Sequence, residues 1–129
     1  MAVFLTGDTH NDFGRLSFKK WKLGKTLTKK DLLIVLGDFG LIFNNTITKD
    51  EKYHTAWLNN RPYSIAFVDG NHENHPRLNA LPEKEMFGGT VGVIADTIYH
   101  FKRDFIFYPI FFNIFFNIIA VTTIFTIKQ

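Results

Sequence analysis

Three apolar runs, each ending abruptly in a small polar cluster, constrain the fold of this chain more than any other feature. Ala2-Val3-Phe4-Leu5 leads into Gly7-Asp8-Thr9-His10, and Leu32-Leu33-Ile34-Val35-Leu36 into Gly37-Asp38-Phe39-Gly40. Ile65-Ala66-Phe67-Val68 leads into Gly70-Asn71-His72-Glu73. Each run has the length and residue types of a strand bounded by a turn. The intervening segments carry helix signals. Asn11 or Asp12 is placed to cap a helix through Phe13, Leu16, Ser17 and Lys20, with Gly24 as its stop.

Thr48-Lys49-Asp50-Glu51 is a capping box, and Tyr53, Ala56, Trp57 and Leu58 give the following helix an apolar side. Pro62 restricts Arg61 to extended geometry and prepares the third strand. Three strand-then-helix units in series predict an α/β fold with parallel strands. All three polar clusters then open at the carboxyl edge of one sheet. Further on, a short helix ends before Pro82, and Gly88-Gly89-Thr90 separates short strands around Val91–Ile94 and Thr97–Phe101.

The length of 129 residues fits one domain with a core that needs no staple. With no cysteine, thiolate metal sites, disulfides and cysteine nucleophiles are excluded, and any metal rests on His, Asp, Glu, Asn, carbonyls or water. The amino terminus runs from Met1-Ala2-Val3-Phe4-Leu5 straight into Gly7-Asp8 without the pattern of a secretory signal, so a cytoplasmic setting is expected. Seven basic residues, Arg15, Lys19, Lys20, Lys22, Lys25, Lys29 and Lys30, fall in one stretch. Spaced lysines read first as a solvated face and second as a guide for anionic substrates. Few aromatics interleave them, so nucleic acid is not indicated as a partner.

The three clusters share one chemistry, since Asp, His and Asn bind divalent cations through oxygen and imidazole nitrogen. A phosphate ester is attacked efficiently when two cations about 3.5–4 Å apart activate water and neutralise the phosphoryl oxygens. Asp38 is the natural bridging carboxylate, Asp8 and His10 can chelate from a single extended turn, and Asn71 offers an amide oxygen. His72 can donate a proton to a leaving group or hold charge on the phosphoryl oxygens. Asp8, Asp38 and Asn71 would also serve as turn or capping residues. Three coincident loops make that plainer reading the weaker one. Glu73 and Asp69 read as local structural residues, a carboxylate at a helix start being favourable in itself.

The motifs at residues 7–10, 37–38 and 70–73 resemble those of the calcineurin-like metallophosphoesterases, which run Asp-x-His, Gly-Asp and Gly-Asn-His-Glu or -Asp. The resemblance covers roughly residues 1–105. It implies a metallophosphoesterase-like β-sandwich with flanking helices, of which the first βαβαβ half is expected here. It further implies two divalent ions (Mn, Fe, Zn or Ni), metal ligands Asp8, His10, Asp38 and Asn71, a catalytic His72 and a phosphate-ester substrate.

Two departures follow. Leu41 stands where many relatives carry an acidic residue or His, and no His follows His100, whereas the family completes both metals with later histidines. His54, His75 and His100 are the remaining histidines; each reads first as a packing or surface residue, with His75 nearest to the third motif.

From Phe105 to Ile127 the chain carries no charge and is dense in Phe, Ile and Asn, so residues 1–105 read as the domain and 106–129 as an apolar tail. The tail exceeds the roughly 20 residues that span a bilayer, although Pro109, Asn113 and Asn117 make it a mediocre span. It also fits a core strand pair turning at Pro109, or a reading frame broken near 107–109. The last reading accounts for the missing histidines and is preferred over an anchor. The expected function is a metal-dependent phosphoric ester hydrolase, phosphatase or phosphodiesterase, impaired by its partial ligand set. The alternatives are an inactive truncated fragment, a membrane-associated non-enzymatic module, or an oligomer that supplies ligands from a neighbour.

Overall fold

The computed structural model describes residues 1–105. The three readings of the tail lie outside them, and among the described residues no helix is long and apolar enough to cross a membrane. The strands are β1 (Val3–Gly7), β2 (Leu32–Leu36), β3 (Ser64–Val68), β4 (Glu83–Met86), β5 (Gly89–Ala95) and β6 (Ile98–Phe101). The helices are α1 (Lys49–Asn59) and α2 (His75–Asn79). One six-stranded sheet runs in the order β1-β2-β3-β6-β5-β4. Strands β1, β2, β3 and β6 are parallel, and β4 and β5 extend the sheet as an antiparallel hairpin.

The apolar runs are continuous because both sheet faces are buried, as parallel strands require. Phe4, Leu33, Val35, Ile65 and Phe67 pack on one face against Phe13, Leu16, Trp21, Phe39, Leu58 and Leu78. Val3, Leu32, Ile34 and Ala66 lie on the other face with Phe87, Val91, Tyr99 and Phe101.

The segment after β1 departs from the expected helix. It forms two 3-10 turns, Phe13–Leu16 and Lys22–Thr26, with an extended Ser17 between them. Gly14 lies inside the first turn, where an α-helix pays about 1 kcal/mol for glycine, and Asp12 makes no side-chain cap. Instead the chain spends its turns burying Phe13, Leu16 and Trp21; the Trp21 ring meets Phe4 and Tyr63 edge-on.

The α1 signal is realised in part. Thr48 Oγ1 accepts the Glu51 N–H at 3.1 Å, but the Glu51 carboxylate turns away to Arg77. Leu58 is buried and Trp57 half-buried, while Tyr53 and Ala56 face solvent. Strand β4 went unanticipated because its residues Glu83-Lys84-Glu85 are exposed edge positions with no apolar alternation.

Register decides where the polar clusters emerge. Gly7 pairs with Leu36, Leu36 with Val68, and Val68 with Phe101, so four parallel strands end at one level. The order of those strands puts the Asp38 loop between the His10 loop and the His72 loop.

Candidate metal centre

Backbone hydrogen bonds lock the first loop to the second. The N–H groups of Thr9 and His10 donate to the Asp38 carbonyl at 3.1 and 2.9 Å, and Asn11 N–H donates to the Phe39 carbonyl at 3.1 Å. The buried Thr9 hydroxyl donates to the same Phe39 carbonyl at 2.7 Å. This tether holds His10 at φ 46° and Asn11 at φ 64°, left-handed conformations that other residue types adopt rarely. The turn is therefore not extended, yet it brings His10 Nε2 to 3.5 Å from Asp8 Oδ2.

The third loop is fixed by Glu73. Its Oε1 accepts the Gly40 N–H at 2.7 Å and its Oε2 the Gly70 N–H at 2.8 Å, so one buried carboxylate joins the second loop to the third. The loops approach so closely that a Cβ on Gly70 would lie 1.9 Å from Asp38 Oδ1. One on Gly37, at φ +99°, would lie 2.3 Å from Asp8 Oδ1. Glycine at both positions is a condition of the carboxylates' placement.

Asp38 stands at the centre, 5 % exposed. Its Oδ1 accepts the His72 backbone N–H at 3.0 Å, and its Oδ2 lies 2.6 Å from His72 Nδ1 and 3.8 Å from His10 Nε2. Burial pushes the Asp38 carboxyl up, but the hydrogen bonds from the His72 side chain and backbone outweigh it and hold the group below the usual carboxylate range. The same contact with Asp38 holds the His72 imidazole above its ordinary value. Leu41, the departure noted above, is buried in the core, and His72 takes its carboxylate partner from Asp38 itself.

One ligand atom from each of His10, Asp38 and His72 lies within 4.8 Å of the others. Two imidazole nitrogens and a carboxylate oxygen at that spacing suit a divalent cation of mixed nitrogen and oxygen preference. Asp8 adjoins this triad through His10, and Asn71 is exposed on the turn beside His72.

The other histidines point elsewhere. His54 packs its ring against Phe13 and Tyr53. His75 Nδ1 lies 3.1 Å from Asp69 Oδ2 and His100 Nε2 lies 2.9 Å from Asp69 Oδ1, with Arg103 Nε 3.2 Å from Oδ2. Asp69 and Glu73 thus do more than start a helix, since each joins its loop to another element. Nothing in the sequence pairs position 69 with 100 and 103 until β6 is known to lie beside β3.

The family model for calcineurin-like phosphoesterases matches residues 1–127. No curated protein and no solved structure matches the chain. With its three motif loops gathered at one sheet edge and the family match running over nearly its whole length, the chain belongs to the calcineurin-like phosphoesterases, a family of metal-dependent phosphoester hydrolases.

Proposed function

We propose that this chain binds divalent cations through Asp8, His10, Asp38 and Asn71 and hydrolyses phosphate esters weakly. The observation that carries this reading is the convergence of His10, Asp38 and His72 from three separate loops. Cations held there supply Lewis-acid charge for the phosphoryl oxygens and make water nucleophilic near neutral pH. Asp38 orients His72 through two hydrogen bonds and holds its imidazole pKa above the ordinary His value, which favours the protonated ring. His72 is 67 % exposed, so a bound ester reaches it, and it donates its proton to the leaving oxygen or holds charge on the phosphoryl group.

Manganese, iron, zinc or nickel each suit the donor set. Of the ligands that the family resemblance implies, those on the first three motifs are the ones residues 1–105 supply, and the weak turnover proposed is that of this partial set. The test is hydrolysis of bis-(p-nitrophenyl) phosphate and p-nitrophenyl phosphate with added manganese, beside an Asp38→Asn variant. Slow, manganese-dependent turnover that the variant lacks is expected. Turnover indifferent to manganese and to the substitution would overturn the reading.

A further inference from the structure

Asp69 and its partners form a second polar cluster on the β6 side of the His72 loop. A cleft of about 430 Å³ there is lined by residues including Asp69, His75, His100, Lys102 and Arg103. Asp69 carries a side chain only 2 % exposed, yet three elements reach it: α2 through His75, β6 through His100, and the turn after β6 through Arg103. The contacts are mutually consistent. His75 Nδ1 lies 3.1 Å from Asp69 Oδ2, and its Nε2 faces Arg103 Nη2 at 3.5 Å.

Arg103 is held by Asp69 on one side and touched at Nη2 by His75. Its Nε donates to Asp69, while its side chain is 75 % exposed. An exposed ion pair of this kind contributes little to stability. With Nε on Asp69 and Nη2 against His75, the exposed planar fork keeps Nη1 for a ligand oxygen, a charge-assisted donor that suits a phosphate oxyanion. Asp69 offsets the charge of Arg103, Lys102 pairs with Glu83, and Asp104 is an exposed carboxylate in the cleft lining that opposes an anion.

Position gives this fork a purpose. Asp69 lies three residues before His72, so their Cα atoms are at most about 11 Å apart. Strand β6 adjoins β3, about 4.8 Å away. The Asp69 cluster and the Asp38 centre are thus held at the two ends of one short loop segment, residues 69–72, and a ligand over Asp38 that carries a second phosphate has that span to cross to reach Arg103.

We propose that Arg103, held by Asp69 and flanked by His75, binds a second phosphate group of the substrate, next to the one being hydrolysed. This rests on the phosphoester-hydrolase reading for its purpose but not for its test. The full chain is titrated with pyrophosphate in chelator-treated buffer, and the Arg103 Nε–H and His75 ring signals are followed by NMR. Saturable shifts at both are expected, with affinity falling at least fivefold in Arg103→Gln and less in Arg103→Lys, and rising in Asp104→Asn.

A short oligothymidylate in place of pyrophosphate distinguishes a nucleic-acid backbone from a small polyphosphate as the source of the phosphate; saturable binding of either at Arg103 supports the site. Shifts confined to His10 and His72, or unchanged affinity in Arg103→Gln, would overturn it. Because no metal is present, failure here leaves the metal centre's own test untouched.

Discussion

The His72 imidazole and the Asp38 carboxylate stand 2.6 Å apart, joined a second time by the His72 backbone N–H. A buried carboxylate from the middle strand thereby orients an exposed ring from its neighbour, and each group shifts the titration of the other.

The contact makes His72 a proton store with a defined sign. Its pKa is raised in the folded chain, so its interaction with Asp38 is complete below the ordinary His range and is lost as pH rises through the raised value. NMR titration of the metal-free chain should place His72 above 6.5, the ordinary value, and Asp38→Asn should return it toward that value. Divalent ions compete with this proton, so their apparent affinity should climb with pH through the same window. A His72 that titrates identically in wild type and variant would refute the coupling.

Gly70 leaves no room for a side chain. With the Cβ position 1.9 Å from Asp38 Oδ1 and 2.5 Å from its backbone nitrogen, Gly70→Ala must displace the carboxylate. The expected cost is about 1–3 kcal/mol in urea unfolding, with loss of the raised His72 titration. Unchanged stability and an unchanged His72 curve would show that the loops separate freely.

Glu73 satisfies two backbone donors from different loops. Removing it in Glu73→Ala leaves the Gly40 and Gly70 N–H groups without their acceptor, at about 1–3 kcal/mol each. Glu73→Gln keeps one oxygen and should recover part of the loss. Equal urea midpoints for the two variants would argue against a shared clamp.

Arg77 and Glu51 form a bidentate pair at 2.7 and 2.8 Å between α2 and α1, with Glu51 8 % exposed. Arg77→Met strands the carboxylate and should cost about 3–5 kcal/mol, whereas the double change Glu51→Leu with Arg77→Met should recover most of it. Thermal unfolding of the three chains is the check, and a double variant no better than the single one would contradict it.

The sequence disclosed these arrangements unevenly. The strands β1, β2 and β3 were legible because runs such as Leu32–Leu36 have one reading when buried on both faces, and the glycine-bounded clusters fixed where they end. Strand order then placed Asp38 between its neighbours. The segment after β1 departs from its helix pattern because Gly14 and the burial of Trp21 outweigh that pattern, a contest settled by tertiary packing. Strand β4 escaped notice because Glu83-Lys84-Glu85 is held by pairing with β5 and not by its own apolar face. The reach of Glu73 to Gly40, and of Asp69 to His100 and Arg103, depends on contacts between distant positions that no local pattern encodes.

The most direct test of the metal centre is paramagnetic broadening by manganese, recorded on the full chain and on Asp38→Asn. Substoichiometric manganese should broaden the His10 and His72 signals first in the wild type, and this preference should disappear in the variant. Equal broadening in both chains, or broadening that begins at the exposed carboxylates of Glu83 and Glu85, would contradict it.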